Sequence, residues 1–355
     1  MPGNSFGHIF RITTFGESHG SGVGVILDGC PAGLEITKDE IQHELNRRRP
    51  GTSHLTSTRQ EKDEIVILSG IYENKTLGTP IAMFVYNKDY ISKVYEPIKD
   101  LYRPGHADFS YDAKYGFRDW RGGGRASARE TVGRVAAGAV AKKLLSASGI
   151  RIFGYVTQIG KVKIGQIDET VIEKNPLHCP DEKVLNKMIK EIETARRNLD
   201  SIGGIVEVVA KNVPAGLGEP VFNKLSADLA QAIVSIPAVK GFEIGDGFAC
   251  ASKCGSENND IWVKKGGRIG TATNRAGGII GGISTGEDIV IRCAFKPTPS
   301  IARKQKTVNT KGEESEIAVF GRHDPCVCSR AVPIVEAMMA ITIADHFLLN
   351  KISKI

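Results

Sequence analysis

Aromatic residues are scarce, at 6% of 355 positions. That leaves few platforms for stacking nucleic-acid bases, and no RRM or KH signature is present, which argues against an RNA-binding module. The seven cysteines, at 30, 179, 250, 254, 293, 326 and 328, form no CxxC pair. An odd count without that spacing argues against a disulfide scaffold or a zinc ribbon, and fits a reducing, cytoplasmic compartment. His323, Cys326 and Cys328 match no common zinc spacing, so no metal is expected. The opening MPGNSFGHIFRITTFGE has no basic stretch leading into an apolar core, so no secretory signal is expected. There is no Walker A sequence, and Gly122 and Gly124 lack the strand, spacing and later acidic residue of a dinucleotide fingerprint. The most apolar long stretch, 331–349, contains Glu336, Asp345 and His346, which argues against a membrane span.

Glycine, by contrast, is abundant: 40 residues, where average usage is about 7%. We read this as many tight turns, some able to approach a ligand closely. Apolar residues at 41% and charged residues at 25% describe ordinary globular material. The length allows two domains or one large one. Net charge is +7, which suits an anionic partner without naming one.

Pattern predicts strands at 8–14, 22–28, 64–69, 81–87, 152–158, 203–210, 239–245 and 288–295. A capping box, Thr37 to Glu40, opens a helix that Pro50-Gly51 should stop at Arg49. A second box, Ser127 to Glu130, opens a helix to about 147. A polar helix spans 181–197, and the last helix covers about 331–349. Segments 132–145 and 331–349 are apolar nearly all round, so both helices should be buried and enclosed by sheets. Cys30-Pro-Ala-Gly-Leu34 recurs as Val213-Pro-Ala-Gly-Leu217, each expected after a strand and before a helix, which suggests an internal duplication. Residues 306–316 read as a mobile surface loop.

Five segments place Arg, Lys or His beside Gly or Pro: 16–20, 47–51, 103–108, 121–130, and 296–300 with 321–325. Arginine forks match carboxylate and phosphate, and glycine lets backbone N–H groups face an anion. Together they describe a pocket for a small, multiply anionic ligand. Each also has a plainer reading. Ser127 and Glu130 could simply cap a helix, and Arg47 to Arg49 could be a solvated helix end. Asp324 could be a turn residue partnered with Arg322.

FGESHG, RRRPGTS, RPGHAD, YGxRDxRGGGRxSARET, GGISTG, KPTxSI and GRHDPC, in this order, resemble the chorismate synthase family over about residues 3–349. The resemblance implies one domain, 1–355, of α+β class: a β-α-β sandwich of antiparallel sheets around central helices, assembled as a homotetramer. It implies a lyase that converts 5-enolpyruvylshikimate 3-phosphate to chorismate and phosphate, the last step of the shikimate route, by a 1,4-anti elimination. Reduced FMN is the implied cofactor although the net reaction is redox-neutral. Substrate and flavin bring two carboxylates and two phosphates, which accounts for the basic, glycine-rich inventory. NADPH would enter only if the chain also reduced its own flavin, and no nicotinamide fingerprint supports that.

Carried over by motif, His19 and His106 are general acids, acting on flavin and on the leaving phosphate respectively. Arg48 and Arg49, with Arg129 and Arg134, form the substrate-side cationic group. Arg125, Ala126, Ser127, Pro237, Ala238 and Gly281 fall at flavin contacts. Lys296, Pro297, Thr298, Pro299 and Ser300 match the FMN phosphate region, and Arg322 is a further flavin contact. Asp324 falls where the family has a carboxylate proposed to work with flavin N5 in removing the C6 proton. Three positions depart from the pattern: His54 where Arg is usual, Ala126 where serine is common, and Pro299 within the KPTSS-like run.

Overall fold

The computed structural model describes residues 3–57, 59 and 61–353. Two five-stranded sheets carry most of the strand structure. The first runs in the order Ser5–Phe6, Arg11–Gly16, Gly22–Asp28, Ile81–Tyr86, Ile65–Ile67. The second runs Val239–Ile244, Ile289–Phe295, Gly204–Lys211, Arg151–Ile159, Val162–Lys163. Every pairing in both is antiparallel. With helices packed on these sheets, the fold is α+β.

The helices are α1 (Lys38–Arg48), α2 (Asp108–Tyr115), α3 (Thr131–Ser146), α4 (Glu182–Arg197), α5 (Leu225–Val234), the short α6 (Gly255–Asn258) and α7 (Cys328–Asn350). Helix α3 packs on the first sheet, α7 packs on the second, and the two helices pack on each other. Glycine sets how close they come. A Cβ at Gly133 would meet the Gly24 carbonyl oxygen at 2.9 Å, and one at Gly138 would meet the Ala337 Cβ at 2.3 Å. By length and composition α7 could cross a membrane, but 89% of its apolar window is buried inside the protein.

The polar residues of α7 have partners. Asp345 accepts the backbone N–H groups of His8, Ile9 and Phe10 at 2.7–2.9 Å. His346 Nε2 lies 2.8 Å from an Asp228 oxygen. Glu336, 1% exposed, accepts from Arg47 on α1 at 2.5 and 3.0 Å, Lys142 on α3 at 2.6 Å and the Gly154 N–H at 2.7 Å. Glu44 and Glu173 also reach Arg47.

Thr37 and Glu40 make the expected reciprocal cap of α1. The second expected box differs. Ser127 accepts from the Arg129 N–H, residues 128–130 form one 3₁₀ turn, and α3 begins at Thr131. Glu130 does not return to the cap, because Arg134 one turn later takes its carboxylate at 2.9 Å. The segment expected as a mobile loop is a hairpin, Gln305–Val308 with Glu314–Ile317. It is tied down by Tyr102 N–H to Val308 and by Thr310 N–H to Asp100. The two Pro-Ala-Gly-Leu segments lie between a strand and a helix in each case, before α1 and before α5.

Removing one partner of a buried ion cluster leaves the other charges uncompensated. We therefore expect Glu336→Ala to lower unfolding free energy by about 3–5 kcal/mol, read as a fall in urea midpoint. Burial alone would raise this carboxyl, but Arg47 and Lys142 outweigh it and hold it at about 2, below the ordinary 4.5. Its contribution is complete above the unfolded value and is lost as pH falls from about 4.5 toward 2. The Glu336→Ala variant should lack that part of the acid-unfolding profile.

Candidate active site

The floor of the site is a buried ion cluster. Arg48, the last residue of α1, is 1% exposed and reaches an Asp63 carboxylate oxygen at 2.6 Å. Arg129, in the turn before α3, binds the other Asp63 oxygen and lies 2.7 Å from Glu61. Asn87 accepts from Arg129 Nε at 2.8 Å. Burial would raise the Asp63 carboxyl, but the two guanidinium groups outweigh it and hold it below its ordinary value. Arg48 is pushed down to about 10 by burial, with Asp63 opposing and the cations Arg330 and Arg129 adding to the fall.

One glycine loop serves both histidines. Gly122 and Gly123 take φ of +66° and +103°. A Cβ on Gly122 would sit 2.1 Å from the His19 ring, and one on Gly123 would sit 2.9 Å from the His106 ring. The RGGGR run is therefore glycine because two imidazoles occupy the space that side chains would fill. His19 Nδ1 bonds the Ser18 hydroxyl at 3.1 Å. His19 is lowered to about 4, first by burial and then by Arg59 and Arg121, with Asp119 and Glu61 opposing. His106 Nδ1 lies 3.0 Å from Asp108, which Arg103 clamps with two bonds of 2.7 Å. Burial also holds His106 below its ordinary value, despite Asp108, with Arg103 and Lys296 adding to the effect. Both imidazoles are thus neutral at pH 7 in the ligand-free protein, and a bound anion would favour their protonation.

The opposite wall comes from the second half of the chain. Ala238 takes φ of +71°, and its carbonyl accepts the Lys296 N–H at 2.9 Å. The Thr298 hydroxyl donates to the Asp324 carbonyl at 2.9 Å. Arg322 pairs with Asp89 at 2.7 and 2.8 Å, not with Asp324. Asp324 instead accepts the Ser57 N–H at 2.8 Å and a proton of Arg330. The plainer turn reading of Asp324 thus named the wrong arginine. Arg125 reaches back to the strand Arg11–Gly16, donating to Thr14 and to the Gly16 carbonyl. Arg134 donates to Ser235 at 2.6 Å.

These groups surround a cavity of about 870 Å³. Its lining brings together His19, Arg48, His106, Arg125, Ala126, Ser127, Arg129 and Arg134 from the first half. Pro237, Ala238, Lys296, Thr298, Pro299, Ser300, Arg322 and Asp324 come from the second. Three expected residues lie outside it. Arg49 is the C-cap of α1, Pro297 packs against Gly203, and Gly281 sits in the turn between Ile279–Ile280 and Ile283–Ser284. His54 is exposed and lies 3.7 Å from Glu193. The lining also includes Arg59, Tyr95, His323 and Arg330, which motif reading did not assign to the site. None of these four had a local sign of its role. His323 lies inside GRHDPC between two assigned residues, Arg330 follows that motif, and Arg59 and Tyr95 belong to none.

The lining holds eight arginines and two lysines against two carboxylates, Glu130 and Asp324. Arg48 Nε, Arg59 Nε and His323 Nε2 are buried without a hydrogen-bond partner among the described residues. Unpaired buried donors on the wall of a cationic cavity call for anionic acceptors. Among the described residues, no group of three or more His, Cys, Asp or Glu is placed to hold a metal ion.

The family model for chorismate synthase matches residues 10–348. A chorismate synthase from Roseiflexus castenholzii is 58% identical over 355 residues, covering 100% of this chain and 99% of its own. One from Rippkaea orientalis is 57% identical over 353 residues, covering 98% and 97%. A chorismate synthase crystal structure superposes with a TM-score of 0.78 at 35% identity, covering 98% of this chain and 94% of that one. On this footing the chain belongs to the chorismate synthase family, the phosphate-eliminating carbon–oxygen lyases of the last shikimate step.

Proposed function

We propose that the cavity eliminates phosphate from 5-enolpyruvylshikimate 3-phosphate to give chorismate, with reduced FMN as cofactor. The observation that carries this reading is the gathering of two largely enclosed histidines, His19 and His106, with ten cations around one cavity. The residues present fit FMN. The cavity volume lies within the roughly 300–1,000 Å³ of small-molecule sites, and Arg48, Arg59 and His323, each with an unpaired buried nitrogen, are among the residues that line it. Arg125, Ala126, Ser127, Pro237, Ala238, Arg322 and the run Lys296, Thr298, Pro299 and Ser300 would hold the flavin, with Pro297 packed behind the run. Reduced flavin supplies electron density to the allylic C–O bond that breaks.

Arg48, Arg129 and Arg134 hold the substrate's carboxylates and phosphate. Arg49 and Gly281 lie outside the cavity of a single chain, and a contact from either would need closure or a neighbouring copy. An arriving multiply charged anion reverses the balance that keeps the histidines neutral. His106 then carries a proton to the departing phosphate, with Asp108 fixing its ring. His19 would hold a proton on the side where the flavin would bind. Asp324 takes up the C6 proton, and to do so its carboxylate must loosen from Arg330. The further organisation we propose is one domain, 1–355, in a β-α-β sandwich built from two related halves. It acts as a homotetramer in the cytoplasm.

Under anaerobic conditions, many chorismates should form per flavin. Chorismate in one-to-one proportion with flavin oxidised would overturn the cofactor role. Substrate binding at pH 7 should take up protons, seen as calorimetric heats that vary with buffer ionisation enthalpy. His106→Ala should abolish part of that uptake and lower kcat by roughly 10²–10⁴-fold. Asp324→Asn keeps the Ser57 contact but removes the charge. We expect kcat to fall by roughly 10²-fold or more and the C6 deuterium isotope effect to grow. Normal turnover by folded Asp324→Asn protein would remove Asp324 from the base system.

A further inference from the structure

Tyr95 lies in the 3₁₀ turn Ser92–Ile98, in a segment with no Gly-rich or Arg-rich motif, yet its side chain lines the cavity. Its ring meets the His19 ring edge to face, with centroids 5.4 Å apart and planes at 87°. The Arg103 guanidinium carbon lies 5.7 Å from the centre of the same ring. Arg103 in turn clamps Asp108, the partner of His106. One aromatic ring therefore touches His19 directly and the support of His106 through a cation–π contact.

Hydrogen bonding alone holds the His19 ring weakly: among the described residues its bond is to the adjacent Ser18 hydroxyl. The Gly122 backbone packs close beside the ring, and Tyr90 makes a second edge contact at 5.5 Å. We propose that Tyr95 is a positioning residue for His19, its ring fixing the imidazole against the cavity and keeping water from it. The kinetic consequence rests on the reading of His19 as a general acid; the structural one does not. The charged groups that act on His19 are Arg59, Arg121, Asp119 and Glu61. Tyr95 is uncharged at neutral pH, so changing it removes no charge from this set.

The test compares Tyr95→Phe, which keeps the ring, with Tyr95→Leu, which does not. The first measurement is the NMR titration of the His19 ring proton in ligand-free protein. Wild type and Tyr95→Phe should titrate alike, well below 6.5. Tyr95→Leu should titrate closer to 6.5, because water regains the imidazole. The second measurement is turnover. Tyr95→Phe should stay within a few-fold of wild type, while Tyr95→Leu should lose roughly 10²-fold in kcat, as expected for a misplaced catalytic group, with KM little changed. If Tyr95→Leu fails to fold, Tyr95→Met preserves volume and carries the same comparison. An unchanged His19 titration in the leucine or methionine variant would overturn the proposal. So would a Tyr95→Phe variant as impaired as Tyr95→Leu, which would assign the effect to the hydroxyl. A shifted titration with normal turnover would support the positioning role and overturn the general-acid reading of His19 instead.

Discussion

Two consecutive arginines at the end of α1 point to opposite sides of the molecule, and each meets a carboxylate that would otherwise be untenable. Arg47 turns into the interior and meets Glu336 on α7, together with Lys142 of α3. Arg48 turns toward the cavity and meets Asp63, shared with Arg129. A buried ion without a partner carries a desolvation penalty of several kcal/mol, so the two clusters constrain each other. If α1 rotated, each carboxylate would lose one of its two cations at the same time. The helix end is thus fixed by charge on both faces, and Arg48 is presented to ligand from a rigid place. The same logic explains why α7, apolar enough for a membrane, carries Glu336, Asp345 and His346. Each pairs with a polar group that another element brings to it: Asp345 and Glu336 accept from donors, and His346 meets the Asp228 carboxylate.

The cavity uses the opposite principle. Its cations exceed its carboxylates, and several donors are left unmatched. Such a surplus is unfavourable to folding but favourable to binding, because the ligand's own charges complete the pairing. The glycine loop 121–125 matters here for geometry more than flexibility. By giving up two side chains, it lets His19 and His106 share one loop while different supports orient them. Ser18 and Tyr95 serve the first, and Asp108 with Arg103 serves the second.

What could be read from the sequence followed how local the determining interaction is. The cap of α1 was legible because Thr37 and Glu40 complete it within four residues. The start of α3 was displaced because Glu130 had a competing partner in Arg134. Helix α5 was expected after Leu217 but without bounds, since Lys224 at its start makes no side-chain cap. The hairpin 305–317 was hidden by polar composition, although inward and outward positions alternate along Gln305–Val308. In the site, residues inside recognised motifs were named in advance, and most line the cavity. Asp63 and Tyr95 were not, because their partners lie far away in sequence: Arg129 is 66 positions from Asp63, and His19 belongs to another loop.

That division bears on how the chemistry is controlled. Motif residues supply charge and proton-carrying groups, but the state of each is set by burial and by neighbouring cations, some inside the motifs and some, like Arg59, outside them. His19 and His106 have low proton affinity in the free protein because they are buried, and Arg59, Arg103 and Lys296 add to the effect. A multiply anionic ligand cancels those cations at the moment it arrives, so binding itself would charge the acids. General-acid capacity is then present only when a leaving group is in place to receive the proton. On the proposed reading, substrate binding and proton supply would thus both depend on one cationic lining, through different members of it.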